Sequence, residues 1–381
     1  MLRNPFKFGR EVSGKEFYDR NEVFARLYAK LAGGSSNVVM YAPRRYGKTS
    51  LVKKVLARFK EEGVPTVYFD MARADTLARF CDDYASALYS IAGRGREIAH
   101  ALSDYLAHLH PTFSFGGDLP VAVRLDYGEK MSATSVSAVL DLAEKVAAEC
   151  VKGPLVVAFD EFQEIGALSP QLPLEGVFRG AIQAHQHVRY VFLGSKTHLV
   201  KRMFGEKSRP FYKSAATIRL DKPAADESAA FVAERFAAGG IGIDATEVAA
   251  ILSHSENIPY YLQELSSQVF ESVCGAGRDW VEKTDVERAV KCLTVDNADY
   301  YAERVRELSP TCRTLLRALA EEPTSIFTDE YRRRHSLGCP STVHTALRQL
   351  QEEGIVESDA KGWRVGDPFF ARYVREPGVE V

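Results

Sequence analysis

The apolar positions of this 381-residue chain fall into short uninterrupted runs that alternate with helical patterns. Asn37-Val-Val-Met-Tyr-Ala42 follows the turn residues Gly33-Gly-Ser-Ser36 and predicts a buried strand. Thr49 to Glu62 predicts a helix, with Leu51, Val52, Val55, Leu56 and Phe59 on one face and Gly63 as its stop. Thr66–Asp70, Leu155–Asp160, Arg189–Gly194 and Thr217–Leu220 predict further strands, and helical patterns occupy 75–92, 94–110 and 135–150. Alternation in Phe113–Phe115 and Val121–Leu125 around Gly116-Gly117 predicts a hairpin inserted in this region. Apolar strands alternating with helices predict an α/β fold with a mostly parallel sheet, covered on both faces.

Beyond Pro223 the strand signal disappears. Helical patterns at 226–238, 245–254, 259–273 and 284–294 predict an all-α lid, and a helix at 297–308 leads out of it. Helices at 310–321, 328–335 and 340–353 then precede short strands at 355–357 and 362–365, the plan of a winged helix-turn-helix. The expected domains are 1–222, 223–295 and 296–381. A chain of this length exceeds one ordinary core, so several domains are anticipated on size as well.

Ala42-Pro-Arg-Arg-Tyr-Gly-Lys-Thr49 lies between a predicted strand and a predicted helix, and changes the picture from fold to chemistry. This is the P-loop pattern with Ala42 in place of the first glycine. The backbone N–H groups of Pro43-Arg44-Arg45-Tyr46-Gly47-Lys48-Thr49-Ser50, proline excepted, are expected to surround the phosphates of ATP at a positive helix end. Lys48 would reach the β- and γ-phosphates, the Thr49 hydroxyl would bind Mg2+, and Gly47 permits close backbone approach. Asp160 ends an apolar strand, the position of the acidic partner that holds Mg2+ directly or through water. Glu161 would act on the attacking water as base. Ser195 follows another strand; it either touches the γ-phosphate or the water, or is a turn serine after Gly194. The nucleotide fold expected is therefore a P-loop NTPase.

Several short segments carry a resemblance in their order along the chain. Phe17-Tyr-Asp-Arg20-Asn-Glu22-Val23, the P-loop, Asp160-Glu-Phe-Gln163, Gly194-Ser195, Pro210-Phe-Tyr212, Ile258-Pro259 and Gly366-Asp-Pro-Phe369 resemble the archaeal-type ATPases. These are P-loop NTPases of the STAND class, related to AAA+ and origin-recognition ATPases, and the resemblance covers nearly the whole chain. It implies that the strand ending at Ser195 lies between the P-loop strand and the strand ending at Asp160. It also implies a lid with Pro259 near the adenine base, and Arg20 with its neighbours close to the adenine side. Two positions depart from the family pattern. Lys213-Ser214 stands where Gly-Arg is common, leaving Arg209 or Lys213 to supply a cation, and Asn257 replaces the lid glycine, a substitution that tolerates similar backbone angles.

Composition narrows the setting. No run approaches the ~20 apolar residues of a membrane span. The start Met1-Leu-Arg-Asn-Pro-Phe-Lys7 is polar and mixed, and Cys81, Cys150, Cys274, Cys292, Cys312 and Cys339 show no ligand spacing. A cytoplasmic protein with reduced core cysteines is expected. Residues 1–60 carry 14 Lys or Arg against 4 Asp or Glu, a basic start that suits polyphosphate, nucleic acid or an acidic partner. Residues 301–381 carry 12 basic and 13 acidic residues, and the predicted recognition helix Ser341–Glu353 exposes one cation, Arg348, beside Thr345, Gln349 and Glu352. Duplex DNA contact through it is expected to be weak. A protein partner through the winged helix is preferred, with nucleotide-dependent homo-oligomerisation as a further expectation. The function expected is an Mg2+-dependent, slow ATPase acting as a molecular switch; a nucleotide-regulated DNA-binding protein is the alternative.

Overall fold

A computed structural model describes residues 3–9, 18, 20–34, 36–92, 105–116, 119–127, 131–151, 153–324, 326–359 and 362–377. Their contacts form two compact units. The sheet unit holds Asn21–Ala42 and Lys48–Leu220, and the helical unit holds the described residues of 1–20, 43–47 and 221–381.

In the sheet unit, chain order is α1 (Asn21–Ala32), β1 (Val38–Tyr41), α2 (Lys48–Glu61), β2 (Thr66–Asp70), α3 (Leu77–Ala92), β3 (Thr112–Gly116), β4 (Leu119–Arg124), α4 (Ala133–Lys145), β5 (Leu155–Asp160), α5 (Leu174–Ala184), β6 (Val188–Gly194), α6 (Thr197–Gly205) and β7 (Ala216–Arg219). The main sheet runs β2-β5-β6-β1-β7 with every pairing parallel. Strand β5 is buried along its whole length, as an apolar run in a doubly covered sheet must be. Helix α2 packs down Leu51, Val52, Val55, Leu56 and Phe59 as its pattern predicts. Phe159, Phe162, Phe178, Tyr190 and Phe192 form the aromatic centre of the core on one side of the sheet. The predicted hairpin exists, as a separate antiparallel pair of β3 and β4. Most of the helix expected over 94–110 lies outside the described residues; Ala107–Leu109 is a single 3-10 turn.

In the helical unit follow α7 (Ala225–Ala238), α8 (Ala245–His254), α9 (Pro259–Gly275), α10 (Lys283–Asp296), α11 (Ala298–Arg306), α12 (Pro310–Glu321), α13 (Asp329–Arg334), α14 (Pro340–Glu352), β8 (Val356–Asp359), β9 (Gly362–Val365) and α15 (Pro368–Arg375). Strands β8 and β9 pair antiparallel after three helices, which completes the winged helix. Val343, Leu347 and Leu350 are buried along α14, joined by Ala346. Phe6 is buried among Phe231, Phe236 and Phe270, so residues near the start of the chain complete the lid core. Cys81 and Cys312 are buried as expected of core thiols, whereas Cys339 is exposed at the start of α14.

Candidate nucleotide site

A parallel sheet turns the carboxyl ends of its strands to one edge, where ligands bind in open α/β folds. Tyr41 pairs in register with Gly194, and Phe159 with Phe192. Ala42, Asp160 and Ser195 therefore leave adjacent strands at the same edge. The strand ending at Ser195 lies between the other two, the order implied by the resemblance.

Lys48 is buried, and its ammonium donates to the Ala42 carbonyl at 2.8 Å. The Thr49 hydroxyl donates to Asp160 Oδ2 at 2.6 Å, and the Tyr68 hydroxyl donates to the same oxygen at 2.6 Å. The Glu161 N–H donates to Asp160 Oδ1 at 2.8 Å. Both carboxylate oxygens of the buried Asp160 are thus satisfied, as a charge out of water requires. Thr49 and Asp160 bring a hydroxyl and a carboxylate together, the hard oxygen donors that suit Mg2+, so this pair fits such an ion.

Glu161 stands in left-handed backbone with φ +49°, which turns its side chain out of the strand direction. One of its oxygens collects three donors: Ser195 Oγ at 2.6 Å, Ser195 N–H at 3.1 Å and Gln163 Nε2 at 2.5 Å. Although burial opposes ionisation, the Ser195 and Gln163 hydrogen bonds and the Lys48 charge hold the carboxyl below its usual range. The carboxylate is therefore ionised at neutral pH, anchored through Oε2. Close packing favours glycine at 194, where a Cβ would run into Val200 Cγ2 and come within 2.6 Å of the Gln163 side-chain Oε1. Ser195 reaches Glu161 directly, which neither expectation for it included.

The loop residues 43–47 make their contacts in the helical unit. Arg45 and Gly47 take φ of +71° and +84°. The Arg45 guanidinium pairs with Asp367 Oδ2 at 3.0 Å and lies 4.8 Å from the Tyr260 ring and 4.7 Å from the Tyr261 ring. The Tyr46 hydroxyl donates to Glu357 at 3.1 Å and accepts from Arg364 at 2.8 Å. Arg364 is buried and also pairs with Glu357 and Glu256. Arg20 donates to the Tyr46 carbonyl at 3.4 Å, and the N–H of Tyr260, next to Pro259, donates to the Arg45 carbonyl at 3.4 Å. Pro259 opens α9 at its first turn. Arg44 is exposed, while Pro43 and Ser50 are half-buried. Phe17 and Asp19 of the resemblance lie outside the described residues.

Asn257 has φ +55°, the backbone region that a glycine would adopt there, and its side-chain amide donates to the Pro223 carbonyl at 2.8 Å. Arg209 is committed to an ion pair with Glu175. Tyr68 and Gln163, which hold Asp160 and Glu161, and Asp367 and Arg364, which hold the side chains of Arg45 and Tyr46, are not singled out as ligands or partners by the sequence. Gln163 and Asp367 had a visible signal, lying within the quoted Asp160-Glu-Phe-Gln163 and Gly366-Asp-Pro-Phe369 segments.

The family pattern described as the ATPase domain predominantly from Archaea matches residues 17–265. The chain belongs to this family. This archaeal-type ATPase also matches the pattern of a probable winged helix domain over residues 299–376. No curated protein matches its sequence. Among solved structures, the Walker-type ATPase PABY2304 of Pyrococcus abyssi superposes with a TM-score of 0.68 at 16% identity, over 98% of this chain and 100% of that one. The Aeropyrum pernix ORC2 protein, solved as ADPNP–ADP complexes, gives 0.54 at 14% identity, over 97% of each chain. At these identities the likeness is one of fold. Among the described residues of this ATPase, no helix is long and apolar enough to cross a membrane.

Proposed function

We propose that this archaeal-type ATPase is a molecular switch of the STAND type, working through three parts, 1–222, 223–295 and 296–381, in which binding and hydrolysis of ATP change the hold of the winged helix on the phosphate loop. The observation that carries this reading is the engagement of two loop side chains, Arg45 and Tyr46, by Asp367, Arg364 and Glu357 of the winged helix.

In this reading the loop N–H groups and Lys48 bind the triphosphate of ATP. Thr49 and Asp160 would hold Mg2+, which when bound neutralises charge on the phosphates. Glu161 is anchored through Oε2 by Ser195 and Gln163, so Oε1 is the oxygen left to take a proton from the attacking water. Ser195 then acts by holding the base, and Tyr68 by holding Asp160. Arg20 and Tyr260, next to Pro259, act on the loop backbone, linking the lid to the same segment. The winged helix would pass the change to a protein partner or to a second copy of the chain.

Steady-state ATP hydrolysis, with hydrogen exchange across 356–375, tests both halves. Glu161→Gln should bind ATP normally and turn over at least ~100-fold more slowly. A non-hydrolysable analogue should alter protection in 356–375. Wild-type turnover in Glu161→Gln would remove the assigned base, and unchanged protection would sink the switch.

A further inference from the structure

Away from the phosphate loop, a cavity of about 540 Å3 opens between the end of α8, α10 and α15. Its wall carries His254, Arg372 and Arg375, with Glu256 and Glu376 also present. Glu256 is already committed: Lys222 lies 3.4 Å from it, and the buried Arg364 pairs with it. Arg372 and Arg375 have no carboxylate partner among the described residues; Arg375 donates only to the Ala371 carbonyl of its own helix. Two guanidinium groups thus line one concavity, neither of them ion-paired with Glu376, the other carboxylate of its wall. His254 reports the same field. Burial first, and then Arg372 and Arg375, hold its imidazole below the usual range, while Glu287 of α10 pulls the other way.

We propose that this cavity binds a small phosphorylated molecule, whose phosphate is received by Arg372 and Arg375 with His254 on the wall. Guanidinium forks match phosphate oxygens in pairs, and a tetrahedral anion can engage two arginines at once. The volume lies within the range of small-molecule sites. The shape argues against a duplex backbone: the cations line a pocket, whereas DNA needs several phosphate contacts along a surface. None of these residues takes part in the nucleotide site, so the pocket gives the winged-helix end of the ATPase a ligand of its own.

Inorganic phosphate titrated into the full-length protein tests this, with the His254 imidazole followed by NMR and assigned through His254→Gln. We expect a saturable shift of the His254 signal and a rise in its pKa, both retained in Lys48→Ala, which disables the phosphate loop. Arg372→Gln/Arg375→Gln should weaken the apparent affinity at least ~10-fold, as loss of charge-assisted bonds predicts. If that double variant fails to fold, Arg375→Gln alone, at an exposed position, should weaken it in the same direction. An unsaturable response, or equal affinity in the variants, overturns the proposal. So does a short DNA duplex that shifts His254 where phosphate does not.

Discussion

Asp367→Asn isolates the hold of the winged helix on the phosphate loop. Asp367 does two things at once: its Oδ1 accepts from the N–H groups of Phe369 and Phe370, capping α15, and its Oδ2 accepts from Arg45. Asparagine is as good a helix cap, so what is lost is the charge and the Oδ2 acceptor that Arg45 and the Tyr301 hydroxyl share. Two unit charges about 4 Å apart interact by about 1–4 kcal/mol across the dielectric range of a protein surface. The Arg45 side chain is 40% exposed, so solvent screening brings the contact to about 1 kcal/mol. Burial outweighs Arg45 and the backbone donors at Asp367, raising its pKa, so its charge is held at a net cost. The substitution should therefore leave the melting temperature unchanged or raise it slightly.

If the contact restrains the loop against nucleotide, removing about 1 kcal/mol should tighten ATP binding about fivefold. Calorimetric titration of both proteins measures this, and thermal melting supplies the control. Asp367→Ala should give the same gain in affinity but lose about 1 kcal/mol of stability with the cap. Weaker ATP binding in Asp367→Asn would mean that the contact belongs to the nucleotide-bound state, and would refute the restraint.

Lys48→Ala should abolish or severely weaken ATP binding with the fold intact; equal affinities by calorimetry would sink the phosphate-site assignment. Glu264 is pushed up to about 7 by burial and by Asp367, with Arg45 and Tyr260 opposing. A carboxyl with a raised folded-state pKa contributes stability that is complete below its unfolded pKa and is lost as pH rises through the folded value. Wild type should accordingly lose more stability between pH 5 and pH 8 than Glu264→Gln, and parallel melting curves would count against it. Isolated residues 296–381 should bind duplex DNA only in the ~10⁻⁴–10⁻⁶ M range at physiological salt by fluorescence anisotropy, and any tighter binding should need the full chain. Arg332 pairs with Asp329, Arg334 with Glu322 and Glu330, and Arg348 lies near Glu352, so these cations of α13 and α14 are largely compensated. Nanomolar, sequence-selective binding would promote the DNA-regulator alternative.

Elements with strong periodicity were legible because one rule governs them. Strand β5 reads as a buried run, and α14 shows its apolar face at Val343, Leu347 and Leu350. Helices α5, α6 and α15 were not anticipated. Gly176 and Gly180 lower the helix propensity of α5, and α6 spans only nine residues, so tertiary packing of Phe178, Ile182, Met203 and Phe204 decides both. The start of α15 carries a signal, Asp367 as cap and Pro368 in the first turn, within the last of the quoted family segments. Lys48, Thr49 and Asp160, the proposed phosphate and metal ligands, can be picked out because phosphate and metal chemistry restrict residue type. The Arg45–Asp367 pair spans 322 positions, and no periodicity relates positions so far apart.

That gap has a physical reason. In a P-loop the phosphates are held by backbone N–H groups, one lysine and one hydroxyl, so the intervening side chains are free of the reaction. Arg45 and Tyr46 occupy such positions, and the chain uses them to contact Asp367, Tyr260, Tyr261, Glu357 and Arg364. Arg45 holds a left-handed backbone, φ +71°, at a cost of order ~1–2 kcal/mol for a residue with a Cβ. Such a conformation persists where its surroundings over-determine it. Here the ion pair, the two tyrosine faces and the Tyr260 N–H on the Arg45 carbonyl supply that constraint. The backbone that would carry the phosphate-binding N–H groups is thus held in shape by side chains of the lid and winged helix. In the proposed switch, a triphosphate that demands another loop conformation works against those contacts, and so bears on the winged helix that makes them.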